Sequence, residues 1–91
     1  MDVVAKLIVF SGRVQGVGFR FTALNIANHY RLTGYVHNLP NGDVEMLAQG
    51  PAETIDSCVQ DIQDSFAGCI RQAEIEVVPH NPKITDFRIT F

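Results

Sequence analysis

The chain has 91 residues, 46% apolar and 19% charged, which suits one folded unit of about 10 kDa and excludes wholesale disorder. Seven Lys and Arg stand against ten Asp and Glu, a net charge of −3, and the five arginines are scattered at 13, 20, 31, 71 and 88. No basic stripe exists to drive nucleic-acid binding by counterion release. The longest uninterrupted aliphatic or aromatic run, Leu7 to Phe10, is far shorter than the roughly 20 residues that span a bilayer. Asp2 and Lys6 also spoil a secretory leader. These features predict a cytoplasmic single domain over residues 1–91, monomeric, with neither nucleic acid nor membrane as a partner.

Lys6 to Ser11 is rich in β-formers and bounded by Gly12, so it predicts a strand apolar on both faces. Gly12 to Gly18 carries three glycines in seven residues and predicts a loop. Phe19, Ala23, Ile26, Ala27 and Tyr30 then recur at helical spacing, and Arg31-Leu32-Thr33-Gly34 ends that helix. Tyr35 to Asn38 predicts a short strand, and the Asn41-Gly42 pair a hairpin turn. From Asp43 to Gln49 the pattern alternates: Val44, Met46 and Ala48 inward, Asp43, Glu45, Leu47 and Gln49 outward.

Pro51 opens a second helix over about Ala52 to Ala67. Its acids, Glu53, Asp56, Asp61 and Asp64, diverge around the helix and read as a solvated face rather than a metal site. Ala73 to Val78 predicts a strand with Ile75 and Val77 inward. Phe87, Ile89 and Phe91 alternate in a last strand. Cys58 lies on the second helix's apolar face, while Cys69 follows its end, roughly 15 Å away along a helix at 1.5 Å per residue. A disulfide needs Cα atoms about 4.4 to 6.8 Å apart, so both are expected to be free thiols.

The order β-α-β-β-α-β with one extra terminal strand is that of the ferredoxin-like α/β sandwich, an α+β fold. It predicts an antiparallel sheet with two helices on one face and the other face open to solvent. That architecture hosts many activities, so function has to be read from the residues it positions.

Gly12-Arg13-Val14-Gln15-Gly16-Val17-Gly18-Phe19-Arg20 joins a strand to a helix. Its backbone N–H groups can converge where the helix dipole is positive. Glycines at 16 and 18 permit the curvature of an anion-binding nest. The planar guanidinium of Arg20 suits two phosphate oxygens at once. Neither common nucleotide motif fits: Val17 breaks the Walker pattern, and Phe21 stands where the dinucleotide motif needs its third glycine. Strand parity puts Asn38 on the helix side with Val36, within approach of the Arg20 end of the first helix, while Tyr35 and His37 face the other way. A turn asparagine serving the Leu39 to Gly42 corner is the simpler alternative for Asn38.

The sequence resembles the acylphosphatases. That family's first signature, a glycine, any residue, then V-Q-G-V-x-F-R, is met from Gly12 to Arg20. Its second is met by Gly34-Tyr35-Val36-His37-Asn38 with Gly42, Val44 and Gly50 at the expected spacings. The resemblance covers essentially the whole chain. It implies hydrolysis of carboxyl-phosphate anhydrides to a carboxylate and inorganic phosphate, the latter both product and inhibitor. It also implies Arg20 and the Gln15 to Phe19 backbone on the phosphoryl group, Asn38 on the attacking water, and no metal or cofactor. His37 stands where Lys, Arg or Gln is usual, and Arg31 where many members carry a helix-ending glycine.

Other chemistries fit less well. His29, His37 and His80 lack paired metal-ligand spacing. A cysteine phosphatase would need a thiolate inside the anion loop, which contains none. An RNA reader would need aromatics among basic residues on the open face, where Tyr35 sits next to acids. The alternative from another class is a non-catalytic phosphate-binding or regulatory module on the same fold. A related domain is also part of larger hydrogenase-maturation proteins, but the chain's own start and last strand predict a standalone enzyme.

Overall fold

The structure is a computed structural model that describes residues 2–91. Strands β1 (Val4–Gly12), β2 (Thr33–Asn38), β3 (Val44–Gly50), β4 (Ile70–Val78) and β5 (Phe87–Ile89) form one sheet in the order β4-β1-β3-β2-β5. Helices α1 (Phe19–His29) and α2 (Ala52–Ser65) lie over β1, β2, β3 and β5. Residues that the alternation sends inward, Ile8 and Phe10 on β1 and Val44, Met46 and Ala48 on β3, are fully buried beneath them. Ala23 and Ala27 of α1 and Ile55, Cys58 and Ile62 of α2 close the core from the helix side. This is the expected ferredoxin-like α+β architecture, with the terminal strand added at the β2 edge.

Three expectations need correction. The sheet is mixed rather than antiparallel, because β5 runs parallel to β2, pairing Gly34 with Phe87 and Val36 with Ile89. A three-residue strand alternates identically in either direction, so its side-chain pattern carries no directional signal. Ile75 and Val77 share the helix-facing side with their β1 partners Ile8 and Lys6, yet they are 50% and 71% exposed. They stand on the edge strand β4, outside the cover of the helices. The face away from the helices is also partly closed. Between β4 and β5 the chain crosses the sheet, and there the Gln49 amide donates to the Asn81 carbonyl (3.0 Å) and the Thr33 hydroxyl (3.1 Å) and accepts from the Asn81 N–H (2.7 Å). A glutamine expected in water is therefore buried and fully satisfied, as a buried amide must be.

Both cysteines are free. Burial pushes the Cys58 thiol up to about 12, with the Asp61 charge adding to the effect, so it behaves as an inert core group. Three of the four acids of α2 find separate surface partners, Lys6 for Asp56 (2.9 Å), the Tyr30 hydroxyl for Asp61 and Gln60 for Asp64 (3.0 Å).

Helix α1 ends in a Schellman turn: Arg31 N–H donates to the Asn28 carbonyl and Leu32 N–H to the Ala27 carbonyl. This turn puts Arg31 at φ 56°, the left-handed region that an L side chain enters only at a cost of about 1 kcal/mol or more. Arg31→Gly is accordingly expected to stabilise the fold by about 1 kcal/mol, read as a higher urea midpoint with unchanged slope. No stabilisation would mean that the Arg31 side chain offsets its own backbone strain.

Candidate active site

The β1–α1 loop is fixed at several points, and each fixing residue has an identifiable cause. At its start, Arg13 N–H donates to the Cys69 carbonyl (2.8 Å), and the Arg13 guanidinium reaches the Cys69 sulfur (3.6 Å). Val14 inserts into the core at 1% exposure. At the far end the Phe19 ring is packed against Phe10 (centroids 5.0 Å apart) and Phe66 (4.7 Å), which docks the first turn of α1 on β1 and the end of α2. Between these anchors Gly16 and Gly18 take φ 76° and 77°, the curvature for which glycine is needed.

Gly18 is the N-cap of α1 and offers no side-chain cap, and no acidic residue sits in the helix's first turn. None of the backbone N–H groups from Gln15 to Phe19 donates a hydrogen bond within the described residues. Five successive donors without a protein partner, at the positive end of a helix, are an arrangement that can accept an anion without any charged side chain.

Gln15 does more than lend its backbone. Its side-chain amide donates to the carbonyls of Leu39 (2.9 Å) and Asp43 (2.8 Å), tying the loop to the β2–β3 hairpin. That hairpin is closed by Leu39 N–H on the Asp43 carbonyl and by an Asn41 side chain that accepts from Asp43 N–H. Asn38 is the last residue of β2, opposite Val44, on the helix side of the sheet. The bond from Gln15 therefore couples the position of Asn38 to the position of the cradle.

Gly16, Gly18, Phe19, Arg20 and Asn38 line one open cavity of about 220 Å³, smaller than the roughly 300 to 1,000 Å³ of drug-sized sites and suited to a small anion-bearing ligand. Of the residues singled out in the sequence, Gln15 and Val17 are not on its wall: Gln15 faces the hairpin, and Val17 is 39% exposed at the loop tip. The wall adds Val14, an apolar position of the first signature, and Phe21, Ile89 and Phe91, which neither signature marks. Arg20 belongs to none of the three ion pairs among the described residues, and its guanidinium lies 5.4 Å from the centroid of the Phe91 ring. Phe91 is expected to continue the inward alternation of the last strand; it instead lies beyond β5, fully exposed.

His37 is turned to the opposite face. It stacks on Tyr35 (centroids 5.1 Å), meets Glu45 through Nε2 (3.0 Å) and Thr90 Oγ1 through Nδ1 (2.9 Å). It is a brace between β2, β3 and the chain beyond β5. Burial and the nearby Glu45 carboxylate raise the Tyr35 hydroxyl above its ordinary range.

The acylphosphatase family profile matches residues 6–89, nearly the whole chain. The chain belongs to the acylphosphatase family. An acylphosphatase from Methanospirillum hungatei is 39% identical over 70 residues, 77% of each chain. The crystal structure of the Bacillus subtilis acylphosphatase superposes with a TM-score of 0.89 at 30% identity, over 97% of this chain and 99% of that one. The acylphosphatase of Coxiella burnetii gives 0.86 at 30% identity, over 98% and 94%. Among acylphosphatases, then, the cavity between the β1–α1 loop and the end of β2 is the candidate active site.

Proposed function

We propose that this acylphosphatase hydrolyses acyl phosphates at the cavity between the β1–α1 loop and Asn38, with Arg20 and the Gln15 to Phe19 backbone holding the phosphoryl group. A row of N–H groups beside an arginine, neither with a protein hydrogen-bond partner among the described residues, carries this reading. Phosphoryl oxygens accept from the loop amides and from the two-pronged edge of Arg20, and both interactions strengthen as charge spreads over the equatorial oxygens. Asn38 holds a water in line with the bridging P–O bond. The water oxygen bonds to phosphorus, the bond to the carboxylate breaks, and the water's protons end on the phosphate. An acyl phosphate dianion thus yields a carboxylate and dihydrogen phosphate, with charge conserved.

The small inventory is sufficient because of the leaving group. A carboxylic acid has a pKa near 4, so the departing carboxylate needs no proton donor. An alkoxide does need one, and no acid faces the cavity to supply it. Among the described residues no three His, Cys, Asp or Glu side chains come together to hold a metal, and the positive potential is supplied by Arg20 and the amides.

The test is a rate comparison on benzoyl phosphate and an alkyl phosphate monoester, each with and without EDTA. Rapid turnover of the acyl phosphate alone, unaffected by chelation, is expected. Comparable rates on both substrates would refute the leaving-group argument, and loss of activity in EDTA with rescue by a divalent ion would refute the metal-free assignment. No turnover at all, with phosphate still bound, would favour a phosphate-binding module.

A further inference from the structure

The cradle reads only the phosphoryl end of an acyl phosphate, but the cavity wall does not stop there. Phe21, Ile89 and Phe91 continue it as an apolar rim adjoining Arg20 and Asn38. Phe21 is 63% exposed and Phe91 wholly so. Helix geometry explains the first: Phe21 comes two residues, about 200° of turn, after the core-facing Phe19, so it cannot share the face that Phe19 and Ala23 bury. The second is held at the rim by its own contact, the ring lying against the Arg20 guanidinium as a cation–π pair. Two large, exposed aromatic rings thus belong to the wall of the same small cavity as Arg20 and Asn38.

We propose that Phe21 and Phe91 form an acyl-side subsite that favours acyl phosphates with aromatic or bulky apolar acyl groups over acetyl phosphate. This rests on the acyl-phosphate reading of the cradle and extends it to the other half of the substrate. An aromatic acyl ring meets the two side chains in edge-to-face or offset contact, and the contact persists as the P–O bond lengthens, so it raises kcat/KM rather than kcat alone. Ile89 is a third apolar residue of the same wall. The acetyl methyl group is too short to cover either ring.

The experiment measures kcat/KM for benzoyl phosphate and acetyl phosphate on the full chain, wild type, Phe21→Ala, Phe91→Ala and the double variant. The intrinsic reactivity difference between the two substrates cancels when the benzoyl-to-acetyl ratio of a variant is divided by that of the wild type. That quotient is expected to fall about tenfold in the double variant, at the low end for an apolar contact because the rim is open. Each single variant should show part of the fall. A quotient that stays within twofold of one would overturn the subsite. So would equal loss on both substrates with weaker inhibition by inorganic phosphate, since Phe91 would then act only by holding Arg20. Phe21 is 63% exposed on α1, so Phe21→Ala carries the test alone if truncation at the chain end disturbs β5. A wild type that hydrolyses neither substrate would overturn the acyl-phosphate reading itself, an outcome distinct from an unchanged quotient.

Discussion

Arg20→Ala is expected to lower kcat/KM for an acyl phosphate by about 10³ or more, within the range seen when an arginine that stabilises phosphoryl-transfer charge is removed. Inhibition by inorganic phosphate should weaken in parallel, because in the proposed site the guanidinium meets the phosphoryl group in the ground state as well. Arg20→Lys should recover little: a point charge on a flexible stem cannot reproduce a planar fork that engages two oxygens. Stability should barely change. Arg20 makes no ion pair among the described residues, and its contact with Phe91 is an exposed cation–π pair worth about 0.5–1 kcal/mol. A thermal melt beside the kinetics therefore separates loss of function from loss of fold. Full activity in Arg20→Lys would mean that net charge suffices and that bidentate geometry is not what the site uses.

Much of this arrangement was legible in the residues, for physical reasons that differ from place to place. The core face of α1 could be read because Phe19, Ala23 and Ala27 recur at the helical period, and the inward side of β3 because Val44, Met46 and Ala48 recur at two. The loop was legible because glycines at 16 and 18 in front of a helix permit the positive-φ curvature that other residues resist. Parity along β2 placed Asn38 and His37 on opposite faces before any tertiary contact was known. The left-handed turn at Arg31 was implied only by the resemblance, in which many members carry a helix-ending glycine at that place.

What escaped was whatever depended on partners distant in sequence and ordinary in type. Gln15 binds two backbone carbonyls, 24 and 28 residues away, and every residue has a carbonyl, so no pattern marks the acceptors. Gln49 was read as a solvent-facing amide, and only the return of the chain at Asn81 buries it. Ile75 and Val77 have the right period for a core strand, but period reports the face of a sheet and not whether a helix covers it. Phe91 shows the same failure at the active site. Alternation would bury it, whereas β5 ends at Ile89 and leaves the ring beside Arg20.

Asn38→Ala should fail differently from Arg20→Ala. Asn38 is assigned only to the water, so its removal leaves every phosphoryl contact of the cradle in place. Inhibition by inorganic phosphate is therefore expected to stay within about twofold of wild type, while kcat falls by roughly 10², the cost of removing one positioned polar group from a preorganised site. The backbone should not move, because Asn38 lies exposed at the end of β2, where Gln15 and the Leu39–Asp43 bond hold the hairpin without its side chain. Preservation of the melt would establish this, and it excludes the simpler view of Asn38 as a turn asparagine, whose loss would loosen the corner and lower the midpoint. The deciding measurement is the pair of phosphate inhibition constants. If Asn38→Ala weakens phosphate binding as severely as Arg20→Ala, Asn38 touches the phosphoryl group itself. The water must then be held by the loop, whose amides are the other unpaired polar groups on that wall.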